Sequence, residues 1–395
     1  MAKQNMSRFN LNKLKGEPAL LVIVVFVVAL MSGMAGGWLI ANQKESKPSI
    51  DQQKKVVTSQ SNLISEIAKT VGPSVVSINL NITDNSGSVF GYGGGTAQAA
   101  GTGIILTADG VIVTNRHVVP EGSSNVAVTL SDGTEYKDVE VLGRTSESDS
   151  LDVAFLKIKD VGSKKLTPAS IGDSSSLQVG DGVVAIGNAL GQFQNTVTSG
   201  IISGFGRSVQ AGSSSGTDSA ESLVDLLQTD AAINEGNSGG PLVNMNGQVI
   251  GMNTAVAGDG AENIGFAIPI NDVKGLINQV LKDGKFSRPY LGVRYIPLTP
   301  SIAKQLDLSV NYGAYIPGAD QQSGEAIISG SPAEKAGLKE KDVIIAVDGK
   351  KVDQNNSLTG LLSAHSPGDK VELTVLRDGK TIKLTATLGS QPASN

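Results

Sequence analysis

The chain has 395 residues, room for two globular domains and further segments, and its 37 acidic and 32 basic side chains give a formal net charge of −5. That balance, with no basic patch interleaved with aromatics, argues against nucleic-acid binding. The absence of cysteine excludes disulfides, thiolate chemistry and the usual zinc sites, while 48 glycines and few aromatics suit many turns between short strands.

In chain order, Lys3, Arg8, Lys13 and Lys15 precede a charge-free run, residues 19–41, rich in Val, Leu and Ile. The run is long enough to cross a hydrocarbon core of ~30 Å and longer than the apolar part of a cleavable signal peptide. Trp38 sits near its outer end, and the basic flank orients residues 1–18 to the cytoplasm and everything beyond residue 42 to the outside. Residues 42–60, rich in Lys, Gln and Ser, read as a disordered linker. A short helix over 61–69 leads into a strand over 74–80. From there to about residue 268, short β-branched runs alternate with Gly, Asp and Ser turns, which predicts a pair of all-β barrels. Two polar Gly/Ser stretches, 84–100 and 209–222, interrupt them.

Residues 271–284 read as a helix with Val273, Leu276, Ile277, Val280 and Leu281 on one face, Asn271 as N-cap and Gly284 as the stop. It closes a domain over 61–285. In the last region, 286–390, Ser331 and Pro332 open a short helix that stops at Gly337, and a strand ends in an Asp348-Gly349 turn. A helix over 357–365 carries Leu358, Leu361 and Leu362 on one face. Beside an open strand edge it would form a groove for an extended peptide. His365, at its end, reads as a surface residue facing the helix C-terminus.

The chemistry centres on Gly236-Asn237-Ser238-Gly239-Gly240-Pro241. A serine hydroxyl needs a base to take its proton and donors already aimed at the oxyanion it generates. Glycines on both sides allow the tight turn and the close backbone approach that this requires. Only two histidines exist, and His117 alone lies in the strand-rich region, after the β-branched run 111–114. Asp152, opening the apolar stretch 152–158, is the candidate to orient His117; Asp149 is the rival, in a polar segment that reads as a solvated loop. The order His117, Asp152, Ser238 is that of chymotrypsin-type barrels. Gly236, Asn237 and Ser238 form the oxyanion loop, with the amides of Gly236 and Ser238 as donors. Six residues before the nucleophile, the floor of the specificity pocket falls on Ala232, and Ile264, Gly265 and Phe266 supply its wall. Asp230 is two positions too early to place a carboxylate there.

The stretches 101–105, 114–119, 151–154, 232–242 and 263–269 closely resemble the HtrA/Deg family of trypsin-like serine proteases. The resemblance runs over nearly the whole chain, and 286–390 resembles a PDZ domain. It implies a chymotrypsin-like double β-barrel protease followed by an α+β PDZ domain, without cofactor or metal, acting on unfolded or misfolded proteins outside the cell membrane. It further implies that Tyr290, Leu291, Gly292 and Val293 receive a peptide C-terminus, that 84–100 and 209–222 are a surface loop and a sensor loop, and that the unit is a homotrimer. A narrow regulatory protease switched by PDZ peptide binding, and a chaperone-like peptide-binding scaffold, are the alternatives. Two positions depart from the family: Glu235 stands where proline or a basic residue is common, and Arg116 where a small or amide residue precedes the histidine.

Overall fold

The computed structural model describes residues 18–42, 50–82, 97–146, 149–189, 193–211, 221–234, 236–254, 263–319 and 325–391. The chain divides into two compact units, residues 1–60 and 61–395. In the first, α1 (Pro18–Asn42) is a continuous helix whose described side chains, residues 23–35, are all exposed. Among the described residues no helix is long and apolar enough to cross a membrane. Helix α2 (Ile50–Val71) starts far earlier than the expected 61–69, so the predicted linker is helical from Ile50; residues 43–49 lie outside the described residues. Its residues from Ser61 onward belong to the second unit, where Ile64, Ile67 and Val71 share one face and pack into the core.

The second unit begins with seven strands: β1 (Val75–Ile82), β2 (Ala97–Ile105), β3 (Val111–Thr114), β4 (Ser123–Thr129), β5 (Glu135–Tyr136), β6 (Val139–Arg144) and β7 (Ala154–Ile158). They form one antiparallel sheet in the order β5-β4-β1-β2-β3-β7-β6. Six more close into a barrel: β8 (Gly182–Ala189), β9 (Phe193–Ala211), β10 (Glu221–Thr229), β11 (Pro241–Asn244), β12 (Val249–Thr254) and β13 (Gly265–Pro269). One apolar cluster joins the two, with Val75, Ile104 and Phe155 from the first and Val184, Ile186 and Met252 from the second. The expected surface loop falls largely outside the described residues, as does the tip of the sensor loop; the flanks of the latter continue β9 and β10 as a ribbon that pairs Ala211 with Glu221.

Helix α3 (Ile270–Asp283) closes the barrel and buries Val273, Leu276, Ile277 and Val280. Leu281 is exposed, and the N-cap is Pro269 rather than Asn271. Asn271 instead lies in the first turn, where its amide donates to Ser174 Oγ and its side chain to Asp173. The helix ends as expected at Gly284, which adopts φ 65° and closes the last turn onto the Val280 carbonyl.

The remaining chain builds a smaller α+β domain: β14 (Arg288–Tyr290), β15 (Ile296–Pro297), α4 (Pro300–Gln305), β16 (Ala314–Tyr315), α5 (Pro332–Ala336), β17 (Val343–Val347), β18 (Lys350–Lys351), α6 (Leu358–Ser363), β19 (Lys370–Arg377), β20 (Lys380–Thr387) and β21 (Gly389–Gln391). Its first and last strands pair, Arg288 opposite Gln391. Ser331 and Ser357 cap α5 and α6 with side-chain oxygens, as Ser residues at those positions should. Leu358 and Leu362 enter the domain core.

This domain packs on the protease through α3 and α6. A methyl group at Gly275 of α3 would lie 1.7 Å from the Ser363 carbonyl, so only glycine permits the approach. Two buried carboxyls meet hydroxyls across this face. Asp225, held at φ 60° at a bulge in β10, accepts from the Tyr295 hydroxyl, which also contacts Thr359; Asp272 of α3 accepts from Ser357 Oγ at 2.6 Å. Burial pushes Asp225 up to about 6, against the pull of the Tyr295 bond. Burial and the neighbouring Asp225 push Asp272 well above the usual carboxylate range. Native values above unfolded ones stabilise the folded state below the ordinary carboxylate range, and that contribution disappears as pH rises through the native value. The melting temperature of the chain should therefore lose this contribution as pH rises from about 4 to about 6, and Asp225→Asn should flatten that decline. Equal slopes for both proteins in thermal unfolding would count against this account.

Candidate active site

Strand β3 is four buried β-branched residues, and the chain leaves it in a polar turn, Asn115-Arg116-His117, at the rim of the sheet. Asp152 lies just before β7, which pairs with β3 so that Thr114 faces Ala154. That register brings the turn and the acid together. His117 Nδ1 is 2.6 Å from Asp152 Oδ2, and the His117 amide donates to Oδ1 at 3.0 Å. The Asp152 side chain is fully buried while the imidazole keeps 35% of its surface. Burial pushes the carboxyl up, but the charge and hydrogen bonds of His117 and the charge of Arg116 outweigh it and hold Asp152 below its ordinary value. An ionised acid on Nδ1 leaves Nε2 as the ring's outward-facing nitrogen.

Ser238 arrives from the barrel on the loop before β11. Gly236 and Gly239 both have positive φ, 100° and 82°. Thr102 clasps the loop twice: its amide donates to the Ser238 carbonyl at 2.9 Å and its hydroxyl to the Gly236 carbonyl at 2.5 Å. A methyl group at Gly239 would lie 2.1 Å from the Thr102 carbonyl and 2.2 Å from the Thr114 hydroxyl, so Ser238 sits directly beside the turn that carries His117. The amide of Asn237 is bonded to the Asn234 carbonyl at 3.0 Å, which fixes the turn that leads into Ser238. Glu235 lies outside the described residues.

The residues expected to form the specificity pocket are also neighbours. Gly265 is buried, and a methyl there would lie 2.5 Å from Ile233, so the 231–233 segment and the 264–266 segment run side by side. Ile264 is 44% exposed, Phe266 half-buried and Ala232 exposed. Asp230 turns away: its Oδ1 accepts from the Ile201 amide at 2.7 Å.

Asp149 is not the solvated residue its sequence context suggests. It is buried, its Oδ1 accepts from the Leu151 amide at 2.8 Å, and its other oxygen forms an ion pair with Arg288 of β14. Its partner comes from a distant segment, which a local reading cannot see. His365 is likewise half-buried, with Nε2 3.3 Å from Asp348 Oδ2. In the C-terminal domain Gly292 has φ 83° and Leu291 is buried; the carbonyls of Leu291 and Gly292 accept from Ala333 and Ile328. Tyr290 thus ends β14, Leu291 and Gly292 follow it as irregular chain, and Val293 bridges Ile327. Three residues escaped the sequence reading: Thr102, Asn115, whose side chain donates to the Asp152 carbonyl at 2.9 Å, and Thr254, whose hydroxyl is 3.5 Å from Asp152 Oδ2. Of these, Thr102 and Asn115 lie in the family-like stretches, and nothing in the sequence marks Thr254.

A seven-stranded sheet and a closed barrel meeting over His117, Asp152 and Ser238 define a trypsin-like peptidase. The comparisons agree: residues 101–252 match the trypsin-like peptidase domain and residues 289–388 the PDZ domain. The chain is 39% identical over 393 residues to serine protease Do-like HtrB of Bacillus subtilis, covering 93% of this chain and 81% of that protein. It is 41% identical over 340 residues to Do-like HtrA of the same organism, covering 81% and 71%. Among solved structures it resembles the HtrA-type protease AlgW with a decapeptide, at TM-score 0.54 and 31% identity, over 83% of this chain and 99% of that one. The chain belongs to the HtrA family of serine endopeptidases.

Asp149 bears on stability here. Its loss leaves Arg288, whose guanidinium burial already pulls down to about 10, without a counter-charge. Asp149→Asn should cost about 3–5 kcal/mol in urea unfolding, the usual penalty for breaking a buried ion pair from one side. A loss below about 1 kcal/mol, the range of exposed pairs, would show the contact to be incidental.

Proposed function

We propose that this chain is a membrane-anchored, extracytoplasmic serine endopeptidase that degrades unfolded or misfolded proteins. The observation that carries the chemistry is the short bond between a fully buried, ionised Asp152 and the Nδ1 of a half-exposed His117, beside the Ser238 loop. Ser238 Oγ attacks the scissile carbonyl. His117 takes the proton and returns it to the leaving amine, while Asp152 fixes the tautomer and stabilises the imidazolium. The amides of Gly236 and Ser238 bind the oxyanion. The protease domain is assigned to 61–285 and the PDZ domain to 286–390.

Anchoring rests on α1, whose described side chains from Ile23 to Met34 are apolar, apart from Ser32 and Gly33, and exposed, and on the basic residues before it. A helix apolar on every side needs an apolar surrounding. The Ser32 hydroxyl is satisfied within the helix, on the Val28 carbonyl at 2.7 Å, as lipid requires. Residues 1–18 would remain cytoplasmic. Retention of the protein in alkali-washed membranes, and its release on deleting residues 18–42, tests this; release of the intact chain would refute it.

The PDZ domain is proposed to hold peptide C-termini between the Tyr290–Val293 segment and α6, in line with the decapeptide bound to AlgW. A homotrimer is proposed on the family likeness alone. The hydrogen bonds of Tyr295 to both Asp225 and Thr359 also favour the second reading, a protease whose activity responds to peptide, because they tie α6 to the barrel. Full cleavage of an unfolded protein without added peptide would favour general degradation.

One digest tests the mechanism and the specificity together. Ser238→Ala and His117→Ala should abolish cleavage of an unfolded protein while preserving peptide binding, and Asp152→Asn should lower kcat by roughly 10⁴. Substantial turnover by Ser238→Ala would overturn the mechanism. Mapped by mass spectrometry, wild-type cuts should follow Val, Ala and Ile, in a graded preference since one methylene is worth only about 1–3 kcal/mol. A majority after Lys or Arg would mean that Ala232, Ile264, Gly265 and Phe266 do not line the pocket.

A further inference from the structure

Arg116, one of the two departures from the family pattern, is 3% exposed although it adjoins the partly exposed His117. Its guanidinium Nη1 donates to the Ser146 carbonyl at 2.6 Å, the Thr145 hydroxyl at 3.2 Å and the Leu151 carbonyl at 3.3 Å. These acceptors bracket the loop that ends in Asp152. The neighbours in sequence act on the same loop: the Asn115 side chain holds the Asp152 carbonyl, and the His117 amide and ring hold its carboxylate. Three consecutive residues, 115, 116 and 117, therefore grip consecutive parts of the acid loop.

Burying a guanidinium is expensive, and a buried ion is often replaced by an apolar side chain at no loss of stability. Stability is thus a poor reason for an arginine at this position. Geometry is a better one, because the rigid planar guanidinium fixes where Nη1 meets the Ser146 and Leu151 carbonyls and the Thr145 hydroxyl, whereas a lysine ammonium turns freely on its stem. From the other side the loop is held by the C-terminal domain, through Arg288 on Asp149 and through Gln391 Nε2 on Ser146 Oγ at 2.9 Å. Thr145 completes the frame with three bonds to Val153, two through its hydroxyl and one through its amide.

We infer that Arg116 is a positioning residue for Asp152: it clamps Thr145, Ser146 and Leu151, which precede the acid, so that the carboxylate meets His117 at bonding distance. The inference rests on the assignment of Asp152 as the orienting acid in the proposed mechanism. It acts through backbone carbonyls, and its positive charge beside Asp152 adds to the ionisation of that acid.

The test is a double-mutant cycle on the full-length protein, with kcat and KM measured on an unfolded protein substrate and folding checked by circular dichroism. Misplacement of a catalytic group by about 1 Å costs on the order of 10²-fold, so Arg116→Met and Arg116→Lys should each lower kcat about 10²-fold with KM little changed. In the Asp152→Asn background, Arg116→Met should change kcat by less than about twofold, because the two residues act through one interaction. A full loss in that background, or wild-type kcat for Arg116→Lys, overturns the inference. Should Arg116→Met not fold, Arg116→Lys, which keeps the buried charge, carries the test alone. Wild-type turnover by Asp152→Asn itself would instead remove the mechanism on which the inference rests.

Discussion

At Gly239 the closed barrel touches the seven-stranded sheet with no space for a β-carbon: the Thr102 carbonyl and the Thr114 hydroxyl occupy the place where one would stand. Thr114 itself donates to the Thr102 carbonyl at 2.7 Å, so the seat is rigid. On one side of this contact the chain proceeds to His117, on the other it has just passed Ser238. The separation of Ser238 and His117 is therefore set by packing between the two sheets rather than by either sheet alone. The shared apolar cluster around Phe155, Val184 and Met252 keeps the sheets in that register. Close-packed interiors resist small displacements, which gives the active site a fixed geometry although all its residues stand on turns.

Charge follows the same logic. A carboxylate as buried as Asp152 is normally costly, and here four groups meet it: the His117 amide, the imidazole, Thr254 and the nearby Arg116. The other buried acids are handled differently. Asp149 and Asp342 are matched by arginines, Arg288 and Arg377, whereas Asp225 and Asp272 meet hydroxyls and lean toward the neutral form. Environment alone separates Asp152, kept ionised beside His117, from the acids that hold two domains together.

The side chains proposed for catalysis stand out in the sequence because their signals are local. Glycines punctuate the Ser238 loop, only two histidines exist, and β-branched runs mark β3 and β7. The α3 stop at Gly284 and the serine caps of α5 and α6 were legible for the same reason. Asp149 was misread because its partner, Arg288, belongs to another domain, and long-range ion pairs leave no trace in a local pattern. The start of α2 was missed because its first turns are Lys- and Gln-rich, a composition shared by solvated helices and linkers alike. Asp225 interrupts an apolar strand without any hint that its carboxyl points at a tyrosine in the C-terminal domain. Leu281 obeys the helical period yet lies past the edge of the surface that α3 covers.

The pairing of β14 with β21 brings the two ends of the C-terminal domain to one spot on the protease. A domain whose ends meet can in principle be removed or exchanged as a cassette, since the flanking chain need not move to accommodate a different insert. Here the ends are interchangeable but the face is not. An incoming domain without a small residue's clearance opposite Gly275, or without hydroxyls where Tyr295 and Ser357 now stand, would strand Asp225 and Asp272 in an apolar seam. Any domain carried on this face must therefore bring its own complement to those two acids.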